Sequence, residues 1–561
     1  MNDRTAVKMV QERMKIADHG RQEYAANAIE NEKYYINYID ETTHPYLSNI
    51  ALPWPYIIVE SYLGKCIQML AAMMPYVRVV EEDDDSRQKA KKVEKDANMV
   101  LYLQRWPILA YNLYKQAFKY GTTFVLEQPW GNFEGREMPI FSIMNWFHTW
   151  VNPSSISLSE DDAFLIYEMF VPEKTLKRFK NNPNYKNIGK IETHDGRIYT
   201  PEEEEIRSSK SMPVNMHDPY SKLVKVWYYW DNENMIFITN EENCIRNTDN
   251  MVGAIPCKVI KPIPIENEFY GMSILEEGKG LFTEANENRN QFNDAVNLML
   301  NPQWIVSRGA DLKQRTIVSK SGNCVFVDDV AGMVPMKVDW NILTASMNRH
   351  RFIENDIQNY SNAFPQMRGA PQGGSETATE FMGMRSAGEL RSDTYNLLLS
   401  MMSVEEMVRD IVTFKKTFMT EENSFFYWPE DQTEKVGPMD YNGNFTFKAY
   451  AGYKQAKEIE RNQFIQALTF IFGNQAFLPR VLPRVDEWLD RLLDYFGIRN
   501  PEQLWVSEQE GMMNQMYQMM NQMGMLPGQK PQLALGEKAS RTQESTPNSP
   551  MGTMISNEIM R

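Results

Sequence analysis

The stretch from Thr377 to Phe418 constrains this 561-residue chain more than any other. It opens on Thr377-Ala-Thr-Glu380, a capping-box pattern in which a threonine hydroxyl accepts from a free backbone N–H and the glutamate reaches back to the cap. Apolar residues then recur at helical spacing: Phe381, Met384, Ala387, Leu390, Leu397, Leu398, Met401, Val404, Met407, Val408, Ile411 and Phe418. No proline interrupts them, and the glycines, Gly383 and Gly388, fall near the start. At about 1.5 Å per residue the pattern predicts one helix of roughly 60 Å. Such a helix needs neighbours along its whole length, and a repeating oligomer supplies them well.

The residues before it sharpen that expectation. Phe364 to Ser375 holds three glycines and two prolines and reads as a non-helical loop. Upstream, Ser273-Ile-Leu-Glu276 is a second capping box, and Leu275, Leu281, Phe282, Ala285, Phe292, Val296 and Met299 follow at helical period. That helix is predicted to end at Asn301-Pro302, because proline disfavours helix at the residue before it. Trp304–Val306, Thr316–Val318 and Cys324–Val327 read as strands, and Leu343 to Tyr360 as a returning helix.

The flanks are simpler. The first 130 residues read mainly as helices, over Ala6 to Asn37 and Ile57 to Met74, with a proline-containing break at Pro45, Pro53 and Pro55. The acidic run Glu81 to Asp85 and the basic run Arg87 to Lys95 read as a loop and a solvated helix start, a metal site in the former being the minor alternative. Strands dominate from Ile140 to Val259, with a hairpin of Leu223–Trp230, a turn at Asp231–Asn234 and a return over Met235–Thr239. Glu202 to Glu205 reads as an exposed loop. After a short strand section from Phe425 to Lys448, helices are expected near Gln455–Phe472 and Arg484–Phe496. The chain has 37 methionines, and many cluster in Met512 to Met525, either an amphipathic helix or a self-association surface. The Pro, Gly, Ser, Thr and Gln-rich tail from Leu526 is expected to be disordered.

Composition excludes several function classes. A net charge of −15 speaks against tight gripping of nucleic acid, which rests on Lys and Arg, yet suits a wall past which DNA slides. Cys66, Cys244, Cys257 and Cys324 are widely spaced with no CxxC, so reduced thiols are expected in place of a disulfide framework or zinc site. Glu60 and Lys65 interrupt the most apolar early stretch, arguing for a buried helix and no membrane span. No phosphate-binding loop GxxxxGK[ST], GxSxG or HExxH occurs, and His19, His44, His148, His194, His217 and His350 are scattered. No catalytic residue, cofactor or metal ligand is therefore assigned.

In this order the segments resemble the portal proteins of tailed bacteriophages, the short-tailed phage type in particular. Gly271–Glu276 with Glu284–Asn297 and Asn301-Pro302 looks like the first stem helix leading into the clip. Thr377-Ala-Thr-Glu380 looks like the start of the long wing helix. Trp150–Pro153 with Asp161–Ala163 is similar to the wing β region, and Tyr450–Lys454 to the approach to the crown. The resemblance implies an α+β, mainly α-helical portal fold assembled as a ring. Its parts would be a first wing portion (1–270), stem helix 1 (271–300), clip (301–340), stem helix 2 (341–362), tunnel loop (363–376), second wing portion (377–450), crown (451–511) and Met/Gln-rich terminus (512–561). It further implies a dodecameric homo-oligomer at one capsid vertex of the virion, assembled in the host cytoplasm, with no enzymatic activity. The implied partners are the major capsid protein, the terminase large subunit, a tail adaptor protein and double-stranded DNA passing through the channel. Arg368, Gly369, Gln372, Gly373 and Gly374 would lie in the tunnel loop, Arg368 touching phosphate or pairing with a neighbour's carboxylate. Arg308, Lys313, Arg315 and Lys320 would dock partners at the clip or form a solvated loop. A packaging motor or nuclease subunit, and a non-ring adaptor or scaffold protein, are the competing readings.

Overall fold

A computed structural model of the chain describes residues 1–39, 47–71, 75–81, 87–194, 198–212, 222–250, 252–300, 304–306, 333–335, 340–361, 394–427, 432–449 and 464–465. The chain divides at Gln455, and only residues 464 and 465 of the second unit are described, both helical. The first unit is α+β. Its helices are α1 (Asp3–Tyr35), α2 (Trp54–Ala71), α3 (Arg87–Leu103), α4 (Trp106–Tyr120), α5 (Glu173–Lys177), α6 (Pro201–Ser209), α7 (Lys279–Leu300), α8 (Trp340–Ser361) and α9 (Glu406–Phe418).

One antiparallel sheet runs in the order β4 (Thr149–Val151), β5 (Phe164–Pro172), β6 (Leu223–Asp231), β7 (Asn234–Thr239), β8 (Asn243–Asp249). The β6–β7 hairpin is the one read from the aromatic and β-branched run, with Tyr228 opposite Phe237. Successive residues alternate between the two faces. Phe164, Ile166, Trp227, Tyr229, Ile236 and Ile238 pack under the N-terminal half of α1. Leu165, Tyr167, Val224, Val226, Trp230 and Phe237 face the opposite core. The buried stripe of α1 includes the small residues Ala6, Ala17, Ala25 and Ala28, where the helix can lie close to what it covers.

A second core joins α2, α4, the base of α7, the end of α8 and the residues before α9. Glu60, whose charge argues against a bilayer, is partly exposed at its edge: Tyr35 donates to it at 2.6 Å and Lys115 pairs with it at 3.0 Å. No helix among the described residues is long and apolar enough to cross a membrane. A third core gathers α3 and α9 around two ribbons. In one, β1 (Val77–Glu81) pairs with β14 (Phe445–Ala449); in the other, β12 (Asn423–Tyr427) pairs with β13 (Gln432–Val436). Cys66, Cys244 and Cys257 are free and buried.

Several sequence expectations change. Strand structure begins before Ile140, with β1 at Val77 and again from Thr123. There β2 (Thr123–Phe133) pairs with β3 (Arg136–Ile143) and with β9 (Cys257–Ile260). Pro55 sits inside the first turn of α2, where its missing N–H costs nothing. Glu202 to Glu205 forms part of α6, not a loop. Thr200 accepts from the N–H of Glu203 and the Glu203 carboxylate accepts from that of Thr200, a full capping box, and three acidic residues in the first turn favour the positive end of the helix dipole. The basic run Arg87 to Lys95 is more than a solvated face, since Lys92 pairs with Asp440 and Lys95 with Glu434. The long helix is described from residue 394. It runs through a π-helical turn at Met401–Glu405 into α9, so a single α-helical period does not hold across it; residues 377–393 lie outside the described residues.

Candidate assembly interface

Backbone packing sets the root of α7. α4 ends at Gly121, whose φ of +74° suits a left-handed cap. A Cβ there would stand 2.1 Å from the carbonyl oxygen of Gly271, so the two segments touch backbone to backbone. Gly271 N–H donates to Thr122 Oγ1 at 2.8 Å, and Ser273 Oγ donates to Phe118 O at 2.8 Å. The capping box read at Ser273 is present in altered form. Ser273 accepts from Leu275 N–H, Glu276 reaches back to Ser273 N–H, and one 3₁₀ turn intervenes before α7 begins.

α7 and α8 form an antiparallel hairpin. Arg349 pairs with Glu284 at 2.8 Å and Ser346 Oγ donates to Asn288 at 3.1 Å. A short ribbon, β10 (Trp304–Val306) with β11 (Met333–Pro335), lies between them in sequence. Burial decays along the rod. Past Asn288 no residue of α7 is buried, and between Trp340 and Phe352 only Leu343 of α8 is. Large apolar side chains stand in solvent there instead: Leu300 is 68% exposed, Trp340 69% and Phe352 69%, with Ile305, Ile342 and Met347 also exposed. At about 100° per residue, Trp340 and Met347 share one flank of α8, while Ile342 and Phe352 share a different one.

A non-helical strap, residues 48–52, lies along another side of α7. Ser48, Ile50 and Leu52 donate their N–H groups to Asp294, Asn290 and Asn286 at 2.7, 2.8 and 2.8 Å. Asn290 also donates to the Ile50 carbonyl at 3.2 Å. The spacing works because four helical residues rise about 6 Å and two extended residues span about 6.6 Å. These side chains fall inside the Glu284–Asn297 run; the signal that could have revealed the ladder was polar residues at i, i+4 and i+8. A cavity of about 260 Å³ beside the strap is lined by Tyr34, Tyr38, Leu52, Pro55 and Asn286.

Among the described residues, buried titratable clusters are the other places where chemistry could reside, and three of them show their character. His148 lies between Glu168 (3.2 Å from Nδ1) and Glu203 (2.7 Å from Nε2). Burial works against the charged ring, but the two carboxylates outweigh it and raise its pKa to about 9. Glu127 on β2 is buried facing Asp410 on α9, and burial followed by that neighbour pushes its carboxyl well above the usual range. Glu127 Oε1 lacks a hydrogen-bond donor among the described residues, and a proton retained by Glu127 lets it donate to Asp410. Lys258, 2.7 Å from Asp410, offsets the remaining charge. In the third, buried Lys415 and Tyr441 both hydrogen-bond Asp96 Oδ2. Each cluster is closed on itself and ties separate elements together. Among the described residues no group of His, Cys, Asp and Glu could hold a metal ion.

Arg308, Lys313, Arg315 and Lys320 fall between β10 and β11, outside the described residues, as do Arg368, Gly369, Gln372, Gly373 and Gly374 between α8 and residue 394. The helix ends expected around them are described: α7 stops at Leu300 and α8 spans Trp340–Ser361. No protein-family model matches this chain, and no curated protein matches it.

Proposed function

We propose that this chain is the portal protein of a tailed bacteriophage. It forms a ring at one capsid vertex, conducts the genome during packaging and ejection, and docks the terminase large subunit and a tail adaptor. The observation that carries this reading is the hairpin of α7 and α8, whose outer half exposes large apolar side chains on two different flanks. A two-fold dimer buries one patch against its own copy, whereas two different patches call for head-to-tail contacts, which close into a ring when the rotation allows. The order of helix, β-containing segment, returning helix and glycine-rich segment fits the same assembly. Rods standing side by side give a stiff wall, and the net charge of −15 leaves few sticking points for phosphate.

Electron microscopy of the purified full chain tests this. The expected result is a closed ring with a central opening wide enough for duplex DNA; a compact monomer, or an assembly without an opening, overturns it. Trp340→Glu should shift the protein from ring to monomer in size-exclusion chromatography while leaving the far-ultraviolet circular dichroism unchanged, because it places a charge on surface that association dries.

A further inference from the structure

We infer that the strap of one copy docks on the outward face of α8 in the next copy, so that the strap is one half of the subunit interface. This rests on the ring reading and names its contact. Around α7, the residues that hold the strap (Asn286, Asn290 and Asp294) lie about 140° from Glu284 and Asn288, which bond α8. Strap, α7 and α8 therefore stand in a row, and the two ends of the row differ.

The strap end is apolar and uncovered. Leu47 is 59% and Ile50 43% exposed, and Tyr56 beside them 47%. The strap is held to α7 through its backbone, which leaves these side chains free for another surface. At the α8 end, exposed Ala345 is turned away from α7. Ile342 and Phe352 stand three residues before it and seven after it on the same helix face. A small residue between large ones makes a hole for an aliphatic knob.

The heights match as well. Ile50 is bonded by Asn290, and Ser346, next to Ala345, is bonded by Asn288. Rotation about a ring axis running along the rods preserves height, so Ile50 of one copy meets Ala345 of its neighbour.

Two measurements on the full chain decide this. With Ile50→Cys and Ala345→Cys together, a flexible bismaleimide should give a ladder of covalent multimers on a denaturing gel, and neither single variant should. Ile50→Glu should weaken ring assembly about tenfold or more in dissociation constant, with Ile50→Leu assembling like the unaltered chain. Rings seen by microscopy with no multimer ladder, or rings undisturbed by Ile50→Glu, would overturn the strap contact and leave the ring intact. A chain that forms no ring in any variant sinks the reading beneath it.

Discussion

At the scale of single residues, tertiary contacts turn ordinary side chains into tethers. His148 is one of six scattered histidines with nothing in its local sequence to distinguish it. Its partners come from β5 and α6, 20 and 55 residues away. Because its folded pKa is raised from 6.5 to about 9, its stabilising effect is fully present below pH 6.5 and is lost as pH rises through about 9. Thermal melts of the unaltered chain should therefore lose stability between about pH 6.5 and pH 9, on the order of 3 kcal/mol. His148→Gln should start lower and show a flatter profile over that range. Lys415 offers a second test. It stands buried in an apparently amphipathic helix with Asp96 and Tyr441 as partners. Removing one side of such a pair leaves an uncompensated charge, so Lys415→Met should cost about 3–5 kcal/mol in denaturant unfolding. Adding Asp96→Asn to that variant should recover part of the loss.

At the scale of elements, local signals located helices and strands well and their surroundings poorly. The β6–β7 hairpin, the stop of α7 before Pro302 and the span of α8 follow from alternation, proline and helical period. The run Glu202–Glu205 misled because charge density suggests a loop, whereas Thr200 and the helix dipole make the same residues a well-capped first turn. The π-helical turn at Met401–Glu405 was hidden because the extra residue per turn is set by packing: Ser403 donates to Leu399 O and meets Tyr114 of α4 at 2.9 Å. The strap gives a test at this scale. Asn290→Ala removes both bonds to Ile50, a loss of about 1 kcal/mol, so exchange of the Ile50 amide should quicken roughly fivefold while amides in the α2–α4 core do not change.

At the scale of the whole molecule, the amino-acid order carried elements such as the β6–β7 hairpin, α7 and α8, because hydrophobic period, capping residues and proline act within a few residues of one another; it did not carry β1, β2 or α6. It also carried the expectation of self-association, since a helical stripe that long outruns what one globule covers. Tertiary structure alone decided which surfaces remain uncovered. The exposed flanks of α8, the ladder that seats residues 48–52 on α7, and the Gly121–Gly271 contact that roots the hairpin each join residues tens to hundreds of positions apart. Periodicity says that a face is apolar; only packing says whether the chain's own residues reach it.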